Sequence, residues 1–395
     1  MILGLLLARA GIEVTVLEKH ADFLRDFRGD TVHASTLTLL DELGLAENFD
    51  KLPHRMLEQL QVQLDQGAVP IADLRRLPGP HKHIALVPQW DLLDLLADAA
   101  NAEPTFRLRM NTEVTGLLRR GGRVTGVTYR SVDGDGIGEL AADLVVAADG
   151  RSSTVRAAAG LRPREFGVPM DVWWFRLPRY DTDPAGGLGR FGSGRGVVLI
   201  DRGDYFQCAF LIRKGLDPVL RAEGIESFHQ QLVDLVPWLA GRAATVTSWD
   251  DVKLLTVKLN RLRRWFGRGV LCIGDAAHAM SPVAGVGINL AVQDAVAAAT
   301  ILAGPLRRGA PSRWRLARVQ ARRWLPTAVT QLVQRVIHKV LLGRALSNDL
   351  SLTGTSGAPP LPIRLLHRFP RLQAVPAYFI AIGVRPEHAP EPARR

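Results

Sequence analysis

Residues 271–299, LCIGDAAHAMSPVAGVGINLAVQDAVAAA, constrain this chain more than any other stretch. Leu271-Cys272-Ile273 reads as a short apolar strand that Gly274-Asp275 breaks. A loop bearing Pro282, Gly285 and Gly287 follows, and an Ala/Val-rich helix begins near Ile288. Strand, glycine-bearing loop and helix in that order form a cradle for a flat ligand. Asp275, where the strand ends, can accept hydrogen bonds from hydroxyls. The glycines admit close approach of backbone, and the helix start offers unpaired N–H groups with a partial positive charge.

The second informative string follows an apolar strand at residues 143–148: Asp149-Gly150-Arg151-Ser152-Ser153-Thr154-Val155-Arg156. Asp149 can cap the helix that begins there, and Arg156 on that helix can pair with a carboxylate or a phosphate.

Composition narrows the class. A chain of 395 residues with 47% apolar and 23% charged side chains is a folded one, large enough for two domains, which excludes disordered and fibrous types. Cys208 and Cys272 lie far apart without CxxC or Cys/His spacing. No metal is expected, and a reducing, cytoplasmic setting is. No apolar run reaches the roughly 18–20 residues of a membrane span, and residues 2–10 lack the basic start of a signal peptide.

The net charge of +11 concentrates late: no Asp or Glu lies between Asp294 and Asp349, while Arg307, Arg308, Arg313, Arg315, Arg318, Arg322, Arg323, Arg335 and Arg344 do. The readings of residues 305–345 are a solvated helical face or a peripheral contact with an anionic membrane surface or acidic partner. No nucleic-acid module accompanies the charge, so no nucleic acid is expected.

The strings GDAAHxxxPxxGxGxN (274–289) and DGxxSxxR (149–156) resemble the second FAD-binding motif and the DG motif of the FAD-dependent aromatic hydroxylases. These are the class A flavoprotein monooxygenases, p-hydroxybenzoate hydroxylase-like. The resemblance implies an α/β fold: a Rossmann-like FAD-binding domain with an inserted antiparallel β-sheet substrate domain and C-terminal helices. It gives Asp275 the ribityl chain, Pro282 the reacting face of the flavin, and Gly285 with the backbone of Gly287, Ile288 and Asn289 its pyrimidine edge. Asp149 faces the cofactor. Arg28 goes to the FAD phosphate or ribityl region, Gln89 to the flavin chain, and Val114 to the adenine. Ala284 stands where many members have glycine.

At the N-terminus the apolar density of residues 2–10, then Gly11 and a strand at 12–17 ending in Glu18-Lys19, reads as the second half of a βαβ unit. Glu18 suits the acidic ribose position of a dinucleotide fold, with Lys19 beside it. The G-x-G-x-x-G turn is expected just ahead of Met1. Either the natural start lies upstream or the pyrophosphate site is incomplete. His33 reads as a capping or loop histidine.

The expected division is 1–55, 84–165 and 260–305 for FAD, 56–83 and 166–259 for substrate, and 306–395 as a helical region. Trp174 and Phe206, on expected strands, are candidate pocket residues beside Pro282. As the resemblance implies, NADPH or NADH reduces FAD, and O2 is transferred through a flavin C4a hydroperoxide to an aromatic or polyketide-like small molecule. No residue is nominated as a catalytic base. Two other readings stay open: a flavin reductase or dehydrogenase of the same fold, which oxygen incorporation into product separates, and a flavin-free relative that acts as a binding protein. A halogenase is disfavoured because no Trp-x-Trp occurs.

Overall fold

The computed structural model describes residues 1–24, 31–64, 67–131, 136–183, 187–192, 195–339 and 361–395. The chain opens on helix α1 (Ile2–Arg9) and strand β1 (Val14–Leu17). After β2 (Thr31–Val32) come α2 (Ala34–Glu42), α3 (Ala46–Asp50), β3 (Arg55–Leu57), β4 (Gln59–Leu64), β5 (Gly67–Asp73), β6 (Ile84–Leu86) and α4 (Gln89–Asn101). Strands β7 (Phe106–Arg109), β8 (Thr112–Arg120), β9 (Arg123–Ser131), β10 (Ile137–Ala141) and β11 (Val145–Ala147) lead to the short α5 (Thr154–Ala158). Gly121 and Gly122 turn β8 into β9 with φ of 55° and 71°, the left-handed pair that a two-residue hairpin turn needs.

Next come β12 (Pro163–Phe166), β13 (Met170–Pro178), β14 (Gly187–Gly192), β15 (Arg195–Asp201) and β16 (Tyr205–Arg213), then α6 (Asp217–Ala222), α7 (Ile225–Leu235) and α8 (Ala240–Ala243). Four short strands, β17 (Lys253–Leu255), β18 (Leu259–Leu262), β19 (Phe266–Gly267) and β20 (Val270–Cys272), return the chain to α9 (Val286–Leu306). The C-terminal helices are α10 (Arg313–Ile337), α11 (Leu361–Arg368) and α12 (Ala374–Ala381).

Two parallel pairings carry the nucleotide-type half. β1 pairs with β7, and β11 pairs with β20, in separate sheets. One core joins them: Leu5, Leu6 and Leu7 of α1, Leu39, Leu40 and Leu43 near α2, and Val296, Ala298 and Ala299 of α9 are all buried together. α9 is mostly apolar and buried, with Asn289, Gln293 and Asp294 as its inward polar anchors, which suits a central helix. With the loop before it, the 24-residue helical stretch Val283–Leu306 is long and apolar enough to cross a membrane, a length the sequence reading did not credit. Most of its apolar window, 72%, is buried inside the protein, the mark of a core helix.

The other half is a seven-stranded sheet in the order β17-β13-β16-β15-β14-β4-β5. β4 and β5, from early in the chain, thus extend the sheet built by residues 170–213. Alternation sorts its two faces. Trp173, Phe175, Phe206, Cys208 and Phe210 point to one side and pack on Phe228 and Leu232 of α7. Val172, Trp174, Ala209 and Leu211 point to the other and meet Val283, in the loop before α9. That second face looks toward the Gly274–Asn289 stretch.

Candidate active site

Because β11 and β20 are parallel neighbours, with Ala147 opposite Cys272, the loops that leave their carboxyl ends emerge side by side. Ligands of open α/β sheets bind in that crevice. The first loop brings Asp149, the second Asp275. Asp149 accepts from Ser153 Oγ and from the Val155 N–H at 3.0 Å, while Ser153 caps α5 by accepting the Arg156 N–H at 2.9 Å. Burial, then the Asp149 carboxylate, pushes the Cys272 thiol up to about 12, so this cysteine stays protonated and inert.

Arg156 departs from the sequence expectation. Its buried guanidinium donates to two backbone carbonyls, Ala276 at 3.1 Å and Arg151 at 2.8 Å, rather than to a carboxylate. It ties the loop after Asp149 to the residue that follows Asp275.

Asp275, partly exposed, lies in a single helical turn after β20. Pro282 opens the next turn, and the Gly285 N–H donates to its carbonyl at 3.0 Å. Gly285, at φ 64°, is the residue before α9, whose first turn carries neither a side-chain cap nor an acidic residue. Gly287 and Ile288 lie in that turn. Asn289 is buried, and its side-chain oxygen accepts from Ser35 Oγ at 2.8 Å and Thr36 Oγ1 at 3.0 Å, which locks α2 to α9.

Glu18 lies at the end of β1, beside the start of α1: burial lowers the terminal ammonium of Met1, and the Glu18 carboxylate partly opposes this. Lys19 is exposed next to it. Val114 on β8 is half-buried against the α1 core, and Thr112 N–H donates to the Glu18 carbonyl at 2.8 Å. Gln89 is the first residue of α4. Arg28 lies outside the described residues.

The pocket candidates separate. Trp174 lies on the face that meets Val283, and its indole Nε1–H is buried with no acceptor among the described residues. Phe206 corrects the expectation: it is 2% exposed on the opposite face, packed in the Phe228 cluster and 5.9 Å from the Trp238 ring. Strand alternation separates residue 174 from residue 206 only once the pairing Phe206↔Leu177 is known.

The C-terminal helices contribute contacts the sequence reading passed over. On α10, Gln331 donates to the carbonyls of Asn260 at 2.7 Å and Ala279 at 3.3 Å, and Gln334 to those of Ser281 at 2.9 Å and Val283 at 3.1 Å. His338, just beyond, lies 2.9 Å from Ser281 Oγ. The loop between Asp275 and α9 is therefore held by its backbone. A signal existed: Thr327, Gln331, Gln334 and His338 recur at helical spacing, an inward polar stripe opposite Leu325, Leu332 and Val336.

Behind the loop, His278 donates to Asp294 at 2.5 Å, and the Gly274 N–H and Arg323 donate to the same carboxylate at 3.0 and 3.1 Å. Burial opposes the charge on Asp294, but His278, Arg323 and the Gly274 N–H outweigh it and hold the carboxyl below its usual range. On α2's side, His33 Nδ1–H donates to the Ile380 carbonyl of α12 at 2.7 Å. Burial lowers its pKa to about 4, against the raising effect of the Ile380 and Gly285 backbones.

The donor set fits FAD at its flavin end: a carboxylate for hydroxyls, a helix start free of side-chain caps for a carbonyl edge, and glycines that leave the backbone bare. Glu18 fits a ribose. Comparison with known proteins agrees. The family model described as FAD binding domain matches residues 1–335. The 6-methylpretetramide 4-monooxygenase of Streptomyces rimosus is 34% identical over 346 residues, covering 86% of this chain and 81% of that protein. The kynurenine 3-monooxygenase of Salinispora tropica is 28% identical, covering 75% and 68%. Among solved structures, OxyS anhydrotetracycline hydroxylase from Streptomyces rimosus superposes with a TM-score of 0.75 at 24% identity, covering 99% of this chain and 75% of that one. The chain belongs to the FAD binding domain family and is a flavin-dependent monooxygenase that uses FAD with NAD(P)H.

Proposed function

We propose that FAD lies across the carboxyl ends of β1, β11 and β20 and that an aromatic or polyketide-like small molecule is hydroxylated between its flavin and the Trp174 face of the large sheet. The observation that carries this reading is the adjacency of β11 and β20, which delivers Asp149 and Asp275 to one crevice with Arg156 bracing both loops. The division follows: 1–55, 84–165 and 260–305 hold the cofactor, 56–83 and 166–259 the substrate, and 306–395 buttress both.

Asp275 would accept from the ribityl hydroxyls and Glu18 from the ribose, and Val114, Gln89 and Lys19 would line the rest of the cofactor. The start of α9, Gly285 through Asn289, presents N–H groups and its dipole to the pyrimidine edge and so favours negative charge there. The bound flavin supplies oxygen activation once NAD(P)H has reduced it. Pro282 and Val283 close the reacting side and exclude water. The unsatisfied Trp174 indole N–H suits a substrate carbonyl or phenol oxygen, since a buried donor without an acceptor costs about 1–3 kcal/mol. With its cysteines buried and unpaired, the protein works in the cytoplasm. Its basic α10 face touches anionic lipid.

The test is FAD titration of the purified chain, followed by substrate-stimulated NAD(P)H oxidation and isotopic oxygen incorporation into product. Stoichiometric FAD in the wild type, with retention lost at least about tenfold in Asp275→Ala, is expected, since two or more charge-assisted hydrogen bonds disappear. Equal FAD occupancy in the two proteins overturns the assignment of this crevice.

A further inference from the structure

β12 and β18 pair antiparallel with Arg164 directly opposite Arg261. Like charges in that relation destabilise a strand pair. A third guanidinium joins them from α10. Arg164, Arg261 and Arg335 place their Cζ atoms 5.6, 5.9 and 5.2 Å from the centre of the Phe166 ring. Arg261 also lies over Trp324, at 5.0 Å.

Among the described residues no carboxylate pairs with any of the three. The acid next to Arg164, Glu165, is on the other face of the strand, where it accepts from Asn260 at 2.9 Å. Arg261 Nη1 is buried and has no acceptor among the described residues. Burial, then Arg164 and Arg335, lowers the Arg261 pKa, the direction expected of a cation that lacks its counter-ion. Like-charge crowding of this kind persists where something anionic completes it.

The surroundings indicate which anion. A groove of about 390 Å³ beside this ring is lined by Glu165, Phe166, Val168, Lys214, Thr256 and Lys258. Its wall is fixed to the Asp149 loop by Arg151, which donates to the Thr256 carbonyl at 3.0 Å. Under Phe166, Leu259 packs on Met280 and Leu290, so the ring also abuts the Asp275 loop. The three arginines thus surround Phe166, a ring that lines this groove and packs beside the loop that carries Asp275. Arg164 and Arg335 are exposed, which suits a terminal group of the ligand rather than its centre.

We propose that Arg164, Arg261 and Arg335 form a receptor for the terminal phosphate monoester of the reducing dinucleotide, so that this enzyme takes NADPH in preference to NADH. Guanidiniums match a phosphate monoester by bidentate geometry, and three of them suit a group of near double negative charge. The inference rests on the NAD(P)H-using monooxygenase reading. It concerns binding of the reductant, not the chemistry.

Direct binding of NADPH and of NADH to the full chain, by calorimetry at two salt concentrations, tests it. The variants are Arg335→Gln, at an exposed helical position, and Arg164→Gln/Arg335→Gln. Wild type is expected to bind NADPH about tenfold or more tightly than NADH, and the double variant to bind both equally, with NADH affinity unchanged. Circular dichroism confirms that the variants fold. Three results overturn the proposal: NADPH affinity within twofold of wild type in the double variant, a parallel fall for NADH, or capture of anionic phospholipid vesicles through these arginines with NADPH binding unaltered. Failure of wild type to bind either dinucleotide overturns the NAD(P)H-using reading itself along with it.

Discussion

Ala284 and Gly285 occupy consecutive left-handed positions, φ 66° and 64°, between Pro282 and α9. An L side chain there costs about 1–2 kcal/mol, so Ala284 is a local strain that the Gln334 and His338 clamps on the loop hold in place. Gly285 and Gly287 respond differently to the same substitution. In Gly285→Ala the new Cβ stands 3.1 Å from Thr31 Oγ1 at unfavourable φ, and the protein loses about 1–2 kcal/mol in urea unfolding. In Gly287→Ala the Cβ meets only Met280 Cβ, at 3.6 Å, inside a helix, so stability is unchanged or rises by up to about 1 kcal/mol. A fall in FAD affinity for Gly287→Ala without a fall in stability marks a glycine kept for the cofactor; unchanged affinity refutes that role. The sequence disclosed the need for small residues here but not which glycine serves the fold and which the ligand, since both read simply as G. His33 supplies a pH test. Its folded pKa near 4 lies below the ordinary 6.5, so between those values the unfolded chain binds a proton that the folded chain refuses. Stability from this residue is complete above about pH 6.5 and is lost as pH falls toward 4, by on the order of 3 kcal/mol. His33→Gln should flatten that part of the stability profile; a profile as steep as wild type's excludes His33 as its source.

At the scale of elements, the parallel strand β11, the helix after Asp149 and the long helix α9 were legible because each combines an apolar run with a loop or cap residue of known role. The roles of α10 and α12 were not. Their contacts with the site are hydrogen bonds to backbone carbonyls of residues 260–283 and packing on Ala284 and Val286, partners that no periodicity reveals. The large sheet had the same gap. Its strands were readable from β-branched and aromatic residues, but which face looks inward depends on pairing across distant strands. That distinction is measurable. Trp174→Phe keeps the ring area and removes the indole N–H, so substrate affinity should fall by about 1–3 kcal/mol with little change in unfolding. Phe206→Ala opens a cavity under Trp238 and should cost about 3–5 kcal/mol of stability, with substrate affinity of the folded protein intact. The reverse pattern would turn the sheet over.

For the molecule as a whole, the excess of positive charge has two destinations. Part is consumed internally: Arg323 in the Asp294 and Glu387 cluster, Arg322 by Glu387 at 2.7 Å, and Arg307 by the Ala10 carbonyl. Another part faces outward on α10, and it does so with apolar company. Trp314, Leu325, Leu332 and Val336 are each more than half exposed and follow one another at helical spacing, with Arg313, Arg318 and Lys339 among them. From Arg323 onward the helix therefore buries mainly polar side chains and displays apolar ones, the inverse of an ordinary surface helix. A second copy docked symmetrically on this face would set its arginines against these, whereas an anionic bilayer offers both opposite charge and an apolar layer for the ring of Trp314. Co-sedimentation with phosphatidylglycerol vesicles at low salt is the corresponding measurement. Each basic residue near such a surface contributes about 1 kcal/mol, so binding should weaken steeply with added salt and be weak for neutral phosphatidylcholine. Leu325→Ser/Leu332→Ser should reduce it while FAD content and activity on a soluble substrate stay unchanged, because both leucines are more than half exposed on the outer face of α10. Equal sedimentation with neutral and anionic vesicles, or none with either, would leave the outward arginines as a solvated face and remove lipid from the account of this enzyme.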